Sequence, residues 1–119
     1  MKKSFLFIMA RPPFSTLHAQ EMLDMILTAA AFEQTVRLLF IDQGALLLKK
    51  HQNPAAIEAK DIAPILDALA IYDVEDLYVE SESLSMNGLD PEDLSIATKL
   101  LNRINVGELL ARHDVVINA

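Results

Sequence analysis

The 119-residue sequence contains no cysteine. That excludes a disulfide framework, a thiolate metal site and any thiol or persulfide chemistry carried by the chain's own atoms, since the thiolate is the reactive species in each. Basic residues are scarce as well: 10 Lys and Arg stand against 17 Asp and Glu, for a formal charge of −7. Nucleic-acid binding relies on a concentrated cationic surface, so no direct contact with RNA or DNA is expected. No run approaches the roughly 20 apolar residues of a membrane span. The loop after the first apolar run has no glycine, and so lacks the close backbone approach used by dinucleotide and phosphate loops.

What is present suits one core. With 52% hydrophobic residues, a chain of this length should bury roughly two-thirds of the surface its unfolded form exposes, and a single domain over 1–119 is expected. Met1-Lys2-Lys3 followed by Ser4 to Ala10 has the outline of a signal peptide. The apolar stretch is short, however, and Arg11-Pro12-Pro13 follows without a small-residue cleavage site, so a buried first strand and a soluble, cytoplasmic protein are expected.

The apolar runs Ser4 to Ala10, Val36 to Ile41 and Leu77 to Val79 read as core strands, and Asp114 to Asn118 as a last strand. Between the first two, Ala19, Met22, Leu23, Ile26, Ala29 and Ala30 recur at helical spacing behind a Ser15 N-cap. Asp42-Gln43-Gly44 suits a tight turn, Ala45 to Lys50 a short helix, and Asp61 opens a helical pattern with Pro64 in its first turn. A loop is expected around Ser81, Ser83, Ser85 and Gly88. From Asp90 the pattern is ambiguous between helix and strand, before Val106, Leu109 and Leu110 resume a helical period weakened by Gly107 by about 1 kcal/mol. Strands alternating with helices predict an α/β fold, flavodoxin-like in outline, with helices on both faces of a mainly parallel sheet. Ligands in such folds approach the carboxyl ends of the strands, which directs attention to the loops at Arg11, Asp42 and Glu80.

Candidate chemistry is sparse there. Arg11, Ser15 and Thr16 could bind an anion or nucleotide, with Glu80 as acid or base, but a proline-stiffened turn with a hydroxyl cap explains the first three. His18, His51 and His113 form no metal or catalytic pattern, and His113 suits a helix end. Asp73, Glu75, Asp76, Glu80 and Glu82 surround the third strand, where a solvated loop is the simpler reading than a metal site. Neither a metal nor a cofactor is expected. The first helix is apolar on more than one side: Met25, Leu27, Ala31 and Phe32 extend its stripe beyond what one core covers, and are candidate interface residues.

Five ordered segments, Glu21-Met22-Leu23-Asp24 with Leu27 and Ala30, Phe40-Ile41-Asp42-Gln43-Gly44, Leu69 to Glu75, Asn87-Gly88-Leu89-Asp90-Pro91 and His113 to Ile117, together closely resemble the TusC/DsrF type of the DsrE-like sulfur-relay family. The resemblance implies a sheet of about five strands, with Leu94 to Thr98 as the fourth. It also implies a heterohexamer with TusB/DsrH-like and TusD/DsrE-like paralogues that passes persulfide sulfur, either for wobble 2-thiouridine in transfer RNA or for sulfur oxidation. The family's reactive cysteine follows the third core strand, at a spacing that falls here on Glu80. A carboxylate cannot form a persulfide, so the resemblance implies a noncatalytic structural and docking subunit. A stand-alone anion- or nucleotide-binding protein and a homo-oligomeric scaffold are the alternatives.

Overall fold

The first apolar run forms strand β1 (Ser4–Met9), whose last four residues are buried. The computed structural model describes residues 3–10, 16–49, 69–72, 74, 76–94 and 96–118, and for 16–20 and 70 the backbone alone. Helix α1 (Thr16–Ala31) follows, then β2 (Thr35–Phe40), a 3-10 helix (Asp42–Leu48), a second 3-10 turn (Leu69–Tyr72) and β3 (Asp76–Glu80). Next come α2 (Ser81–Met86), β4 (Lys99–Leu101), α3 (Val106–Ala111) and β5 (Val115–Asn118).

All five strands run parallel in the order β4-β3-β2-β1-β5. From β1 to β4 the chain steps one way across the sheet; from β4 it jumps back past β1 to add β5. Right-handed crossovers therefore place the earlier connections on one face and α3 on the other. The core divides accordingly. Phe7, Met9, Leu38, Phe40, Leu77 and Val79 pack under α1, the 42–48 helix and α2, whereas Leu6, Ile8 and Leu39 meet Leu109 of α3. Strand alternation explains the split, because successive side chains leave opposite faces. The expected flavodoxin-like α/β architecture, helices on both faces included, is the one observed.

Three local expectations change. The fourth strand is Lys99–Leu101, paired with Tyr78–Glu80, and not Leu94 to Thr98. Pro91–Asp93 instead forms a 3-10 turn in which the Asp93 carboxylate accepts the Asp90 N–H at 2.8 Å. Leu94 is buried and bridges Lys49 antiparallel, so its apolar character serves the core and not the ladder. The serine-rich stretch after β3 is helix α2 and not a loop; Ser83 and Leu84 are buried, and Gly88 at φ 69° ends it, its left-handed backbone being readily adopted by glycine. Asp42-Gln43-Gly44 does form a tight turn, but it continues into a 3-10 helix to Leu48 that takes the place of the separate helix expected from Ala45. The helix expected from Asp61, with Pro64, lies outside the described residues.

Gly44 is where this turn meets β1. A Cβ built there would overlap the Met9 carbonyl oxygen, so the side-chain-free residue lets two backbones touch. Its N–H donates to Ile41 O at 2.9 Å.

Candidate functional site at the end of the sheet

Connections leaving β3 and β4 go to opposite faces, so a crevice opens between their carboxyl ends, the usual ligand position in open parallel sheets. Glu80, the last residue of β3, and Arg103, two residues beyond β4, meet across it. Arg103 Nη2 donates to Glu80 Oε1 at 2.9 Å, and Ser83 Oγ donates to the same oxygen at 2.7 Å. The helical turn after Glu80 is what brings Ser83 round, since residues three apart share a face. Ser83 Oγ in turn accepts the Asp42 N–H at 2.7 Å, linking the end of β2 to the same network. Asn87 Nδ2 secures the arrangement by donating to the carbonyls of Asp42 and Ser83 at 2.8 and 2.7 Å. Asp42 itself sits at φ 51°, a left-handed conformation costly for a residue with a Cβ, and these bonds hold it there.

A second carboxylate closes the crevice. Both oxygens of Glu82 accept the Arg103 backbone N–H at 3.0 Å, while the Ser81 hydroxyl reaches Glu82 Oε1 and Asn102 Oδ1 at 2.9 and 3.0 Å. The solvated-loop expectation for this acidic stretch is thus corrected: Glu80 is only 5% exposed. Burial is the largest single influence on its carboxyl and pushes the pKa up. The hydrogen bonds from Arg103 and Ser83, with the charge of Arg103, outweigh it and hold the group below the usual glutamate range. A carboxylate that is buried, anionic and doubly bonded at Oε1 suits a structural lock better than an acid or base awaiting a proton.

The remaining candidates disperse. Asp76, at the opposite end of β3, pairs with Arg37 at 3.2 Å and Lys99 at 2.9 Å, roughly 13 Å of strand from Glu80. Asp73 and Glu75 lie outside the described residues, among which no group of three or more His, Asp or Glu residues could hold a metal. His113 sits at the end of α3, as expected, with Nδ1 2.8 Å from Leu109 O and Nε2 3.2 Å from Arg37 Nη1. Arg11, Ser15, His51 and the side chains of Thr16 and His18 lie outside the described residues. Sequence reading missed Arg103 and Ser83. No local signal marks Arg103, but the three-residue spacing from Glu80 would reveal Ser83 once a helix is assumed.

The four apolar candidates, three on α1 and Phe32 just past its end, divide between two flanks of the helix. Met25 and Phe32, seven residues apart and so nearly in line, are 49% and 73% exposed. Met25 borders an open apolar groove of about 380 Å³ with Phe5, Phe7, Ala29 and Ile117, where β5 extends the sheet beyond the helix. Leu27 packs half-buried on the larger core, and Ala31 is exposed. No helix among the described residues is long and apolar enough to cross a membrane.

Comparison with known proteins agrees with this architecture. The chain is 40% identical to a TusC homolog from Pseudomonas aeruginosa, with 98% of each chain covered. It is 36% identical to the intracellular sulfur oxidation protein DsrF from Allochromatium vinosum, over 77% of this chain and 68% of that one. Among solved structures, the ychN protein from E. coli superposes with a TM-score of 0.83 over the full length of both chains at 15% identity, a likeness of fold. A protein of unknown function from Methanobacterium thermoautotrophicum does so at 0.69 and 14% identity, again over both full chains. With the DsrE/DsrF-like family model matching residues 3–119 and relatives named TusC homolog and DsrF, the chain belongs to the DsrE/DsrF-like family as a TusC/DsrF-type protein.

Proposed function

We propose that this protein is a noncatalytic docking subunit of a sulfur-relay complex, assembling with TusB/DsrH-like and TusD/DsrE-like paralogues in the cytoplasm as a heterohexamer. The observation that carries this reading is the residue at the end of β3. Where the family resemblance places a reactive cysteine there is Glu80, buried and bonded to Arg103 and Ser83, in a sequence with no cysteine. Sulfane sulfur needs a polarizable nucleophile that can attack and leave, which a carboxylate does not supply.

The chain's contribution is then surface. Phe32 and Met25, with the groove that Met25 borders, offer apolar area of the kind that associating proteins cover. A cysteine-bearing paralogue seated against a rigid parallel sheet would have its reactive loop positioned without any covalent step on this subunit. Both destinations of the sulfur, transfer RNA thiolation and sulfur oxidation, are compatible with that role.

Coexpression with TusB-like and TusD-like chains, followed by native mass spectrometry, tests the proposal. One stable assembly containing all three chains is expected. Persistent separation at low salt would refute docking, and sulfur uptake by this chain in isolation would refute the noncatalytic role.

A further inference from the structure

The Glu80 network has the form of an anion site with its ligand built in. Two donors from different segments, the Arg103 guanidinium and the Ser83 hydroxyl, converge on one carboxylate oxygen, and Ser83 and Glu80 are both more than nine-tenths buried. Ser83 is aimed by the Asp42 N–H; the Arg103 backbone is fixed by its N–H on the Glu82 carboxylate, and its half-exposed guanidinium also reaches Met86 Sδ at 3.6 Å through Nη2. The donors are thus positioned by contacts other than the one they make to Glu80. Such prepositioned donors are what recognise a small oxyanion.

We propose that Arg103 and Ser83 form a small-anion seat at the β3–β4 crevice, which the chain's own Glu80 carboxylate fills and so closes to outside ligands. Tethering decides the occupancy. The neighbouring Glu82 and Asp42 carboxylates repel a free anion, whereas a side chain attached at the rim is present at very high local concentration. The ligand class is a planar carboxylate or a similarly sized monoanion. With Glu80 in place the seat is shut; with its carboxylate removed, the seat accepts such an anion in trans. This inference rests on the crevice geometry alone and not on membership of a relay complex, so it can fail while the docking proposal stands.

The test uses the full-length chain. Glu80→Ala should melt below the parent and recover with sodium formate, gaining about 3 °C or more over sodium chloride at equal ionic strength. The parent and Glu80→Ala/Arg103→Ala should show no formate-specific gain. Equal responses from Glu80→Ala and the parent would overturn the proposal. Should Glu80→Ala not fold, Glu80→Cys decides: as the sole thiol in the chain, its alkylation rate against pH reads the ionisation of a group held in the seat. A midpoint below the free-cysteine value of about 8.5 is expected, returning towards it when Arg103 is also replaced. A midpoint at or above that value would overturn the seat.

Discussion

Substituting Gly44 by alanine gives the sharpest check on the tertiary arrangement. The added methyl would fall on the Met9 carbonyl, with the Ala10 nitrogen 2.9 Å away, so the obstruction is backbone at the end of a central strand and cannot rotate aside. Relief requires the 42–48 helix to lift from β1, yet that helix buries Ala45, Leu47 and Leu48. Overpacking at a rigid site costs about 3 kcal/mol. Unfolding entropy of about 2.1 cal/mol/K per residue, taken over this chain, gives about 0.25 kcal/mol/K, so the melting midpoint should fall by about 12 °C. Gly107→Ala is the internal control: it lies in α3 with nothing within 4 Å of a built Cβ. Helix propensity there should raise stability by about 1 kcal/mol, or about 4 °C. Thermal denaturation followed by far-ultraviolet circular dichroism would measure both. If Gly44→Ala melts within about 3 °C of the parent, the inferred contact between turn and strand is wrong.

Other outcomes follow from single contacts. Leu109→Ala empties the centre of the smaller core, where the side chain is 1% exposed, and should cost about 2–4 kcal/mol in chemical denaturation, with α3 losing hydrogen-exchange protection first. Glu33 ends α1 at φ 61°, with the Gln34 N–H reaching back to Ala29 O, so Glu33→Gly should stabilise by about 1 kcal/mol; a loss would contradict that helix ending. For Asp76, hydrogen bonding to Lys99 is the largest influence and lowers the carboxyl pKa; Glu80 is also lowered, Arg103 and Ser83 outweighing burial. Groups depressed on folding contribute stability that is full above their unfolded values near ~4 and is lost as pH falls through the folded ones. Melting midpoints should therefore drop below about pH 4, and Glu80→Gln should make that decline shallower; an unchanged acid limb would remove Glu80 from the account. Phe32→Ser with Met25→Ser should leave the isolated chain's stability within about 0.5 kcal/mol but weaken assembly in the coexpression experiment.

The strands and α1 were legible because burial on a two-sided parallel sheet forces continuous apolar runs and a covering helix forces a 3.6-residue period. β4 was not, for its three residues, Lys99, Leu100 and Leu101, carry no pattern of their own. Their pairing with β3 makes them a strand, while the more strand-like Leu94 fills the core nearby. The candidate interface was legible only as a set: the sequence shows that α1 has more apolar surface than one stripe, but not that Met25 and Phe32 face away from Leu27.

By itself, the amino-acid sequence determined that none of these 119 residues is a cysteine on which a persulfide could form, since that depends on composition alone, and that the fold is α/β, since hydrophobic periodicity is a local property. Only the tertiary structure decided what Glu80 does. Ser83, three residues on, reaches it through a helical turn, but Arg103 reaches it because β4 pairs in parallel with β3, setting Leu101 opposite Glu80 and so leaving Arg103 beside the end of β3. An ion pair spanning 23 positions is set by strand order and not by anything in the residues between.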